Sequence, residues 1–299
     1  MFETIIIVTC IKDNWGFEML CKSIKKYLSP CNIIIIYNDK EENFDTWKIF
    51  YNKLHTRYFQ NHNVLLQTQR DYWTLDDESH LTEPEKEGWV DQQVLKLSVS
   101  EHVKTKSYTC IDSKNFFIKP LQVEDIAQIQ PQPITWAEQI LENWVKFCCK
   151  TLELKYPGTQ IKLTQNTTPY KINTEEAKKL VEHFGGIKKF YRWFTKNALP
   201  DSISPSEFFL YELWLKKQGI SYKYEYKLQN SVSMWGFQIE ELKYNLADYV
   251  NYFLHNIERY DVRVAGIHKT VKELCKEEQI KYILSVTNNV DLLPNLSKY

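Results

Sequence analysis

The amino-acid sequence predicts an α/β fold of Rossmann type, a mixed sheet flanked by helices, with a more helical C-terminal half. Two short runs rich in isoleucine, TIIIVTC at 4–10 and NIIIIYND at 32–39, enclose FEMLCKSIKKYL, whose apolar residues have helical spacing. The isoleucine runs are continuous and do not alternate with polar residues. We therefore expect strands that are buried on both faces, as in a parallel sheet covered by helices.

The N-terminal half continues in the same pattern. Residues 44–60 are predicted to form an amphipathic helix, and NVLLQTQ at 63–69 a third short strand. Residues 70–88 gather charge without periodicity, which is typical of a surface loop. The helical pattern resumes in GWVDQQVLKLSVSEHV at 88–103. The predicted apolar face of this helix consists of Val90, Val94, Leu95, Leu97 and Val99.

The second half carries longer helical patterns. Helices are predicted within 172–197, 204–219 and 241–260, the first two beginning at Asn or Ser caps ahead of glutamates. Strand-like segments are SYKYEYKL at 221–228, RVAGIH at 263–268 and KYILSV at 281–286. Because no repeat, low-complexity tract or Gly/Ser linker interrupts the chain, we expect residues 1–299 to form a single unit.

Composition and short motifs exclude several classes of protein. The 38 basic and 38 acidic residues cancel, so the chain offers no overall field for nucleic acid, and we expect no nucleic-acid partner. The N-terminal apolar run is too short for a secretion signal or a membrane span, and the seven cysteines form no CxxC pair, so we expect reduced thiols and a cytoplasmic protein. P-loop, GxSxG, HExxH and GxGxxG motifs do not occur.

The stretch YTCIDSKNFFIKPL at 108–121 places an acidic residue at the end of a predicted strand. Open parallel sheets bind ligands outside the carboxyl ends of their strands, so Asp112 is expected to project into such a crevice. The structural alternative is that Asp112 only caps a turn before FFIKPL.

Several motifs together point to a family. In chain order they are GWVDQQVLKL, YTCIDSKNFFIKPL, TPYKI, SPSEFFLYELWLKKQG and VAGIHK. With the β-α-β start, this order resembles an uncharacterised family of GT-A-type glycosyltransferases over roughly residues 4–270. The resemblance implies a GT-A-like fold in which residues 1–120 bind a nucleotide-diphosphate sugar and residues 121–299 bind a glycan or lipid-linked acceptor. The implied activity is hexosyl or pentosyl transfer in polysaccharide biosynthesis.

In that family the strand end carries an Asp-Ser-Asp version of the DxD motif, which holds a divalent metal. Asp112 matches the first aspartate, whereas Lys114 stands where the second is expected. Two arrangements are open. In one, a Mn or Mg ion is held by Asp112, Asn115 and His268. In the other, the Lys114 ammonium lies against the diphosphate in place of the metal.

Further donor-binding candidates follow from position and from the resemblance. Thr9, Asp13 and Asp39 lie at the ends of the first two strands, where the base and ribose of a nucleotide would rest; ordinary turn chemistry is the alternative for Asp39. Ser113 belongs to the same turn as Lys114.

The predicted helix at 88–103 and the last strand supply the remaining donor candidates. Gln92 and Lys96 are an i,i+4 pair that can face one ligand with Gln93, or can lie on a solvated helix surface. His268 and Lys269 follow a strand and match the late histidine of many GT-A enzymes, although a lone histidine is often structural.

An inverting transfer requires a base for the acceptor hydroxyl, and Glu207 is the first candidate. Tyr211 lies one turn later on the same face, and Trp235 is a candidate platform for a sugar ring. Equally open is a capping box in which Glu207 reaches back to Ser204. Asp201 and the acidic residues at 76–78 are the fallback bases.

Two other classes of function compete with the transferase. A nucleotide- or carbohydrate-binding protein of the same fold, without catalysis, is favoured by DSKN in place of DSD. A Rossmann-like methyltransferase would need a glycine-rich loop after the first strand, where TCIKDNWGF supplies only Gly16.

Overall fold

The computed structural model describes residues 3–74, 87–122, 139–156, 158, 168–198, 204–220, 231–234, 246–259, 262–267 and 277–294. The strands in these ranges are β1 (Thr4–Thr9), β2 (Asn32–Tyr37), β3 (Asn63–Thr68), β4 (Ser107–Asp112), β5 (Asn115–Phe117), β6 (Tyr170–Asn173), β7 (Ser231–Met234) and β8 (Val264–Ile267). The α-helices are α1 (Asn14–Tyr27), α2 (Phe44–Tyr58), α3 (Glu87–Ser98), α4 (Gln139–Thr151), α5 (Thr174–His183), α6 (Ile187–Asn197), α7 (Glu207–Lys217), α8 (Leu246–Arg259) and α9 (Glu277–Val286).

Five strands form the main sheet, in the order β3-β2-β1-β4-β6. The first four are parallel, and β6 runs antiparallel to β4. The chain first builds outward from β1 to β3 and then places β4 on the other side of β1. The order therefore reverses between β1 and β4, and the crevice at the carboxyl ends of these two strands is the expected ligand position of such a sheet. The Rossmann-type mixed sheet flanked by helices is confirmed.

The continuous isoleucine runs are explained by two cores, one on each face of the sheet. Ile5 and Ile7 pack on the side of α1 and α2, whereas Ile6 and Val8 pack on the side of α3 and α7. Burying each such side chain contributes about 1.5–3 kcal/mol to folding. In a strand that is covered on both faces, the side chains of both faces contribute this burial free energy, so apolar residues are favoured at every position.

A second, smaller sheet starts directly after β4. Its order is β5-β8-β7, with β5 antiparallel and β7 parallel to β8. The N–H of Ile267 in β8 donates to the carbonyl of Lys114 at 3.2 Å, which attaches the turn at 112–114 to this sheet. A third core, which includes Trp15, Phe116 and Val250, packs beside it. The turn is therefore held from both ends.

One predicted strand is wrong, and one helical region is divided. KYILSV at 281–286 lies in α9, where Ile280, Ile283 and Leu284 are buried at helical spacing, so the pattern has a period of 3.6. The region 172–197 forms two helices because Gly185 and Gly186, with φ of +89° and +92°, end the first. The predicted strand at 221–228 lies outside the described residues.

Helix α5 begins with the predicted cap. The side chain of Asn173 accepts a hydrogen bond from the N–H of Glu176 at 3.1 Å.

Two expectations concern membrane spans and thiols. In the ranges that the structure describes, no helix has the length and apolar character needed to cross a bilayer. Cys10, Cys21, Cys31, Cys110, Cys148 and Cys149 carry free thiols.

Helix α1 packs against the turn at 112–114 through a glycine. A Cβ on Gly16 would lie 3.0 Å from the carbonyl oxygen of Ser113 and 3.2 Å from the Cα of Lys114. Both neighbours are backbone atoms that cannot rotate away. The close approach of helix and turn therefore depends on the missing side chain.

We expect Gly16→Ala to destabilise the protein by about 1 kcal/mol, because the cost of displacing the turn exceeds the helix-propensity gain of alanine. Gly88→Ala is the matched control, since a Cβ at this helical glycine meets nothing within 4 Å. This control is expected to be neutral or slightly stabilising. Urea denaturation of both variants measures the difference; equal effects of the two substitutions would contradict the packing argument.

Candidate active site

Asp112 is the last residue of β4 and lies at the carboxyl edge of the main sheet. It is paired in register with Val8 of β1, so its side chain points to the face that α3 covers. The predicted position of Asp112 at the carboxyl end of a strand is confirmed.

Lys96 joins two carboxylates. Its Nζ lies 3.0 Å from Oδ1 of Asp112 and 3.2 Å from Oε1 of Glu207. The same ammonium lies 5.0 Å from the centroid of the Phe208 ring, a cation–π contact. The Lys96 backbone is also held, because the Tyr108 hydroxyl donates to its carbonyl at 2.8 Å. Helix α3 is buried around Lys96, so the alternative of a solvated helix surface is wrong for this residue.

Lys114 approaches Asp112 from the outside. Its Nζ lies 3.3 Å from Oδ2 of Asp112, so each carboxylate oxygen contacts one ammonium. The side chains are 6% exposed for Lys96, 4% for Glu207, 13% for Asp112 and 21% for Lys114. Lys114 is therefore the solvent-facing cation of this group, and Lys96 the buried one. We call Asp112, Lys96, Glu207 and Lys114 the charge cluster.

The turn itself is capped by neighbours of Asp112. The amide oxygen of Asn115 accepts hydrogen bonds from the Asp112 N–H at 3.0 Å and from the Thr168 hydroxyl at 2.7 Å. The Ser113 hydroxyl donates to Oδ2 of Asp13 at 2.9 Å. These hydrogen bonds hold the turn without the Asp112 side chain. The Asp112 carboxylate contacts the two lysines and is not the turn cap.

The charge cluster separates the pKa values of its carboxyl groups. Burial alone would raise the pKa of Asp112, but the charges of Lys96 and Lys114 outweigh it and hold the pKa well below its ordinary value. Burial raises the pKa of Glu207, and the Lys96 ammonium offsets this only in part. Burial would lower the pKa of Lys96, but Asp112 and Glu207 raise it above its ordinary value. Asp112 and Lys96 are thus held as ions, whereas Glu207 is the carboxyl that takes up a proton more readily.

The position of Glu207 excludes the capping box. Glu207 is the first residue of α7, after the N-cap Ser206, whereas a capping-box glutamate occupies the third position. Its carboxylate contacts Lys96, and its N–H donates to Oε1 of Gln93 at 3.3 Å. Helices α3 and α7 therefore share this part of the site.

Three predicted residues lie along the adjoining edge. Asp13 is the N-cap of α1 and contacts Ser113, as described above. Asp39 accepts hydrogen bonds from the N–H of Ile11 at 3.2 Å and of Lys40 at 2.7 Å, so it joins the ends of β1 and β2 through turn contacts. Thr9 is buried at the end of β1.

Asn38 and Thr168 were missed by the sequence reasoning. The Asn38 side chain donates to the carbonyl of Gly88 at 2.7 Å, and its own N–H donates to the carbonyl of Thr9 at 2.8 Å. Within the described part of the chain, Oδ1 of Asn38, Oγ1 of Thr9 and Nε2 of Gln93 are buried without a hydrogen-bond partner. Such atoms are candidates to meet a bound ligand. The sequence signal for Asn38 was its place beside Asp39 at a strand end.

Other predicted residues are not brought into the charge cluster. Tyr211 is buried in the core, where its hydroxyl accepts a hydrogen bond from the N–H of Asn173 at 2.7 Å. Its predicted contact with an acceptor has no structural support. Gln92 is partly exposed on α3. Trp235, His268, Lys269, Asp201 and residues 76–78 lie outside the described residues.

The described residues do not fit a divalent metal. Both oxygens of Asp112 contact ammonium groups, and the amide oxygen of Asn115 already accepts two hydrogen bonds. Across the described ranges, no group of three His, Cys, Asp or Glu side chains is placed to hold a metal ion. Hard cations such as Mg²⁺ are bound by oxygen ligands, carboxylates above all, and the carboxylate of Asp112 is already shared between two ammonium groups.

Comparison with known proteins places the chain in a family. A family of unknown function, DUF6492, matches residues 4–238. The chain belongs to this family. No curated protein matches it.

Two solved structures share the fold at low identity. The bifunctional glycosyltransferase WbbM in its apo form is 14% identical, with a TM-score of 0.52, and the match covers 99% of this chain and 51% of WbbM. The chain thus spans about half the length of WbbM. The apo form of mouse xyloside xylosyltransferase 1 is 8% identical, with a TM-score of 0.47, covering 88% of this chain and 96% of that chain. The GT-A-like fold class is confirmed as an architecture shared with the glycosyltransferase WbbM.

We expect Lys96→Met to cost about 3 kcal/mol or more at pH 7, because it leaves two carboxylates without their buried cation. Burial then raises the Glu207 pKa further above its unfolded value of about 4.3. The folded state therefore binds a proton that the unfolded state releases, so the deficit shrinks as the pH falls from 7 towards 5. Urea denaturation across this range measures the change.

Lys146→Met is the matched control, since it removes an i,i+4 pair with Glu142 on an exposed helix face. A much smaller loss without this pH dependence is expected there. Equal losses at pH 5 and pH 7 in Lys96→Met would contradict the assigned role of Lys96.

Proposed function

We propose that the protein is a glycosyltransferase that moves a hexosyl or pentosyl group from a nucleotide-diphosphate sugar to a hydroxyl of a glycan or lipid-linked acceptor. The observation that carries this proposal is the charge cluster at the switch point of the sheet, where Asp112, Lys96, Glu207 and Lys114 meet. The fold shared with WbbM supports it. Residues 1–120 are proposed as the donor half and residues 121–299 as the acceptor half.

The transfer develops negative charge on the leaving diphosphate and releases a proton from the acceptor hydroxyl. The charge cluster contains groups suited to both events. The bond between the anomeric carbon and the phosphate oxygen breaks, and its electron pair leaves with the nucleoside diphosphate. The acceptor oxygen forms the new bond to the anomeric carbon and releases its proton. A cation near the diphosphate stabilises the leaving group, and in an inverting transfer a carboxylate takes the proton.

The two carboxylates are suited to different tasks. Asp112, whose pKa is depressed, remains ionised and is proposed to accept hydrogen bonds from sugar or ribose hydroxyls. Glu207, whose pKa is raised by burial, is the better proton acceptor near neutral pH and is proposed as the base. Because the Glu207 side chain is only 4% exposed and its carboxylate contacts the Lys96 ammonium, the proton is proposed to reach it through one water or after a shift of Lys96.

The remaining donor contacts are proposed along the same edge. Thr9, Asn38 and Gln93 each offer a buried polar atom that lacks a partner among the described residues. Asp13 and Ser113 join the first strand end to the turn at 112–114. Together these groups line the route from β1 to β4 that a nucleotide would follow in a sheet of this type.

A second candidate is a nucleotide- or carbohydrate-binding protein that has the fold without the reaction. One observation favours it: both oxygens of Asp112 are paired with lysines, and Lys114 stands where the family that this sequence resembles has an acidic residue. This candidate shares the donor site with the first and differs only in turnover. A measurement of turnover therefore separates the two.

We expect Glu207→Gln to lower the transfer rate by a factor on the order of 10²–10⁴, the usual contribution of a general base, while nucleotide binding is retained. The assay measures release of nucleoside diphosphate from a panel of nucleotide sugars, with water or an added sugar as acceptor. Glu176→Gln is the matched control, because Glu176 is also a buried first-turn glutamate that contacts a lysine. Its helix begins beside Asn173, which pairs with Ser107 at the opposite end of β4.

Two outcomes would count against this assignment. Unchanged turnover in Glu207→Gln would remove Glu207 from the chemistry. Nucleotide binding by the natural protein, with no release from any donor of the panel, would favour the binding protein.

A further inference from the structure

We infer that Lys114 supplies, as part of the chain, the positive charge that a divalent cation would otherwise place beside the diphosphate, so the donor binds without metal. This inference deepens the proposed function and rests on it. It names the chemistry of donor binding at the charge cluster and assigns Lys114 to the leaving group.

The carboxylate of Asp112 is already neutralised by two lysines. Oδ1 of Asp112 lies 3.0 Å from the Lys96 ammonium, and Oδ2 lies 3.3 Å from the Lys114 ammonium. A metal ion would have to displace one of these cations and would then meet the other at short range. Repulsion between like charges in a partly buried site opposes that exchange.

Asn115 is the other described residue that the sequence made a candidate metal ligand. Its side chain is buried, and its amide oxygen accepts hydrogen bonds from the Asp112 N–H and from the Thr168 hydroxyl. Turning this oxygen towards a metal would break both bonds and release the turn. Asn115 therefore builds the turn and is not available as a metal ligand.

Lys114 is held at the rim of the site. Its carbonyl accepts the N–H of Ile267 at 3.2 Å, and the preceding Ser113 donates to Asp13 at 2.9 Å. Below the turn, Gly16 lets α1 approach the Ser113 and Lys114 backbone closely. A fixed backbone and a contact with Asp112 place the ammonium in advance, as a preorganised charge requires.

Exposure decides which lysine meets the diphosphate. The Lys96 side chain is 6% exposed and contacts Asp112 and Glu207, whereas Lys114, at 21%, is the most exposed member of the charge cluster. An ammonium has three N–H donors, so one group can contact a carboxylate and a phosphate oxygen together. A diphosphate that enters from solvent therefore reaches Lys114 first.

The first experiment is a calorimetric titration of the full chain with UDP, GDP, dTDP, ADP and CDP, in EDTA and again with Mn²⁺. For the nucleotide that binds, we expect the same dissociation constant within about twofold in both buffers. Lys114→Gln is expected to weaken that binding by about 10-fold or more, the usual effect of losing a charged hydrogen bond. Lys106→Gln is the control, since Lys106 is exposed and precedes the opposite end of β4.

The second experiment needs no nucleotide. Lys114→Asp places an acidic residue two positions after Asp112, and we expect it to bind Mn²⁺, seen as loss of the free-ion signal in electron paramagnetic resonance. The natural protein and Lys106→Asp are expected to leave that signal unchanged. Should Lys114→Asp fail to fold by circular dichroism, the titration with Lys114→Gln decides.

The outcomes separate this inference from the proposed function. Binding of a nucleotide only in Mn²⁺ overturns the role of Lys114 and leaves the transferase standing. Metal-independent binding that Lys114→Gln does not weaken also overturns it, as does loss of the free Mn²⁺ signal with the natural protein. No binding of any nucleotide in either buffer overturns both.

Discussion

The site depends on the two ion pairs of the buried Lys96 ammonium, with Asp112 and with Glu207. It brings together three elements that are distant in the chain, because Lys96 lies on α3, Asp112 ends β4 and Glu207 begins α7. Moving such charges out of water costs several kcal/mol per ion, and only close pairing offsets that cost. Misplacing any of the three elements would leave a buried charge without its partner. The pairing therefore specifies their relative position at least as much as it stabilises the fold.

The sheet and the turn supply the conditions for this pairing. Parallel pairing of β1 with β4 points Asp112 to the same side as Val8, towards α3. Directly after Asp112 a turn leads to β5. The hydrogen bond from the N–H of Ile267 in β8 to the carbonyl of Lys114 fixes the path of that turn. The apolar cores on both faces thus determine where the charges meet, although no apolar side chain carries the chemistry.

Much of this could be predicted from local pattern, and some of it could not. The continuous isoleucine runs predicted parallel strands that are buried on both faces. The apolar run that stops at Asp112 predicted that this residue ends a strand. The partners of Lys96 could not be predicted, because the spacing of GWVDQQVLKL does not show that α5, α6 and α7 pack around its helix. KYILSV was misjudged for a related reason: in a six-residue apolar run, periods of two and of 3.6 are hard to separate.

Position 114 decides how this arrangement obtains its second positive charge. Glu207 and Lys96 contact each other, and Lys96 also reaches only one oxygen of Asp112. The second oxygen faces the turn, where an acidic residue at 114 would add a like charge and require a cation from solvent. A lysine removes that requirement, since it pairs with the carboxylate directly at 3.3 Å. In the proposed donor site, the side chain at position 114 thus takes the place of a cation from solvent.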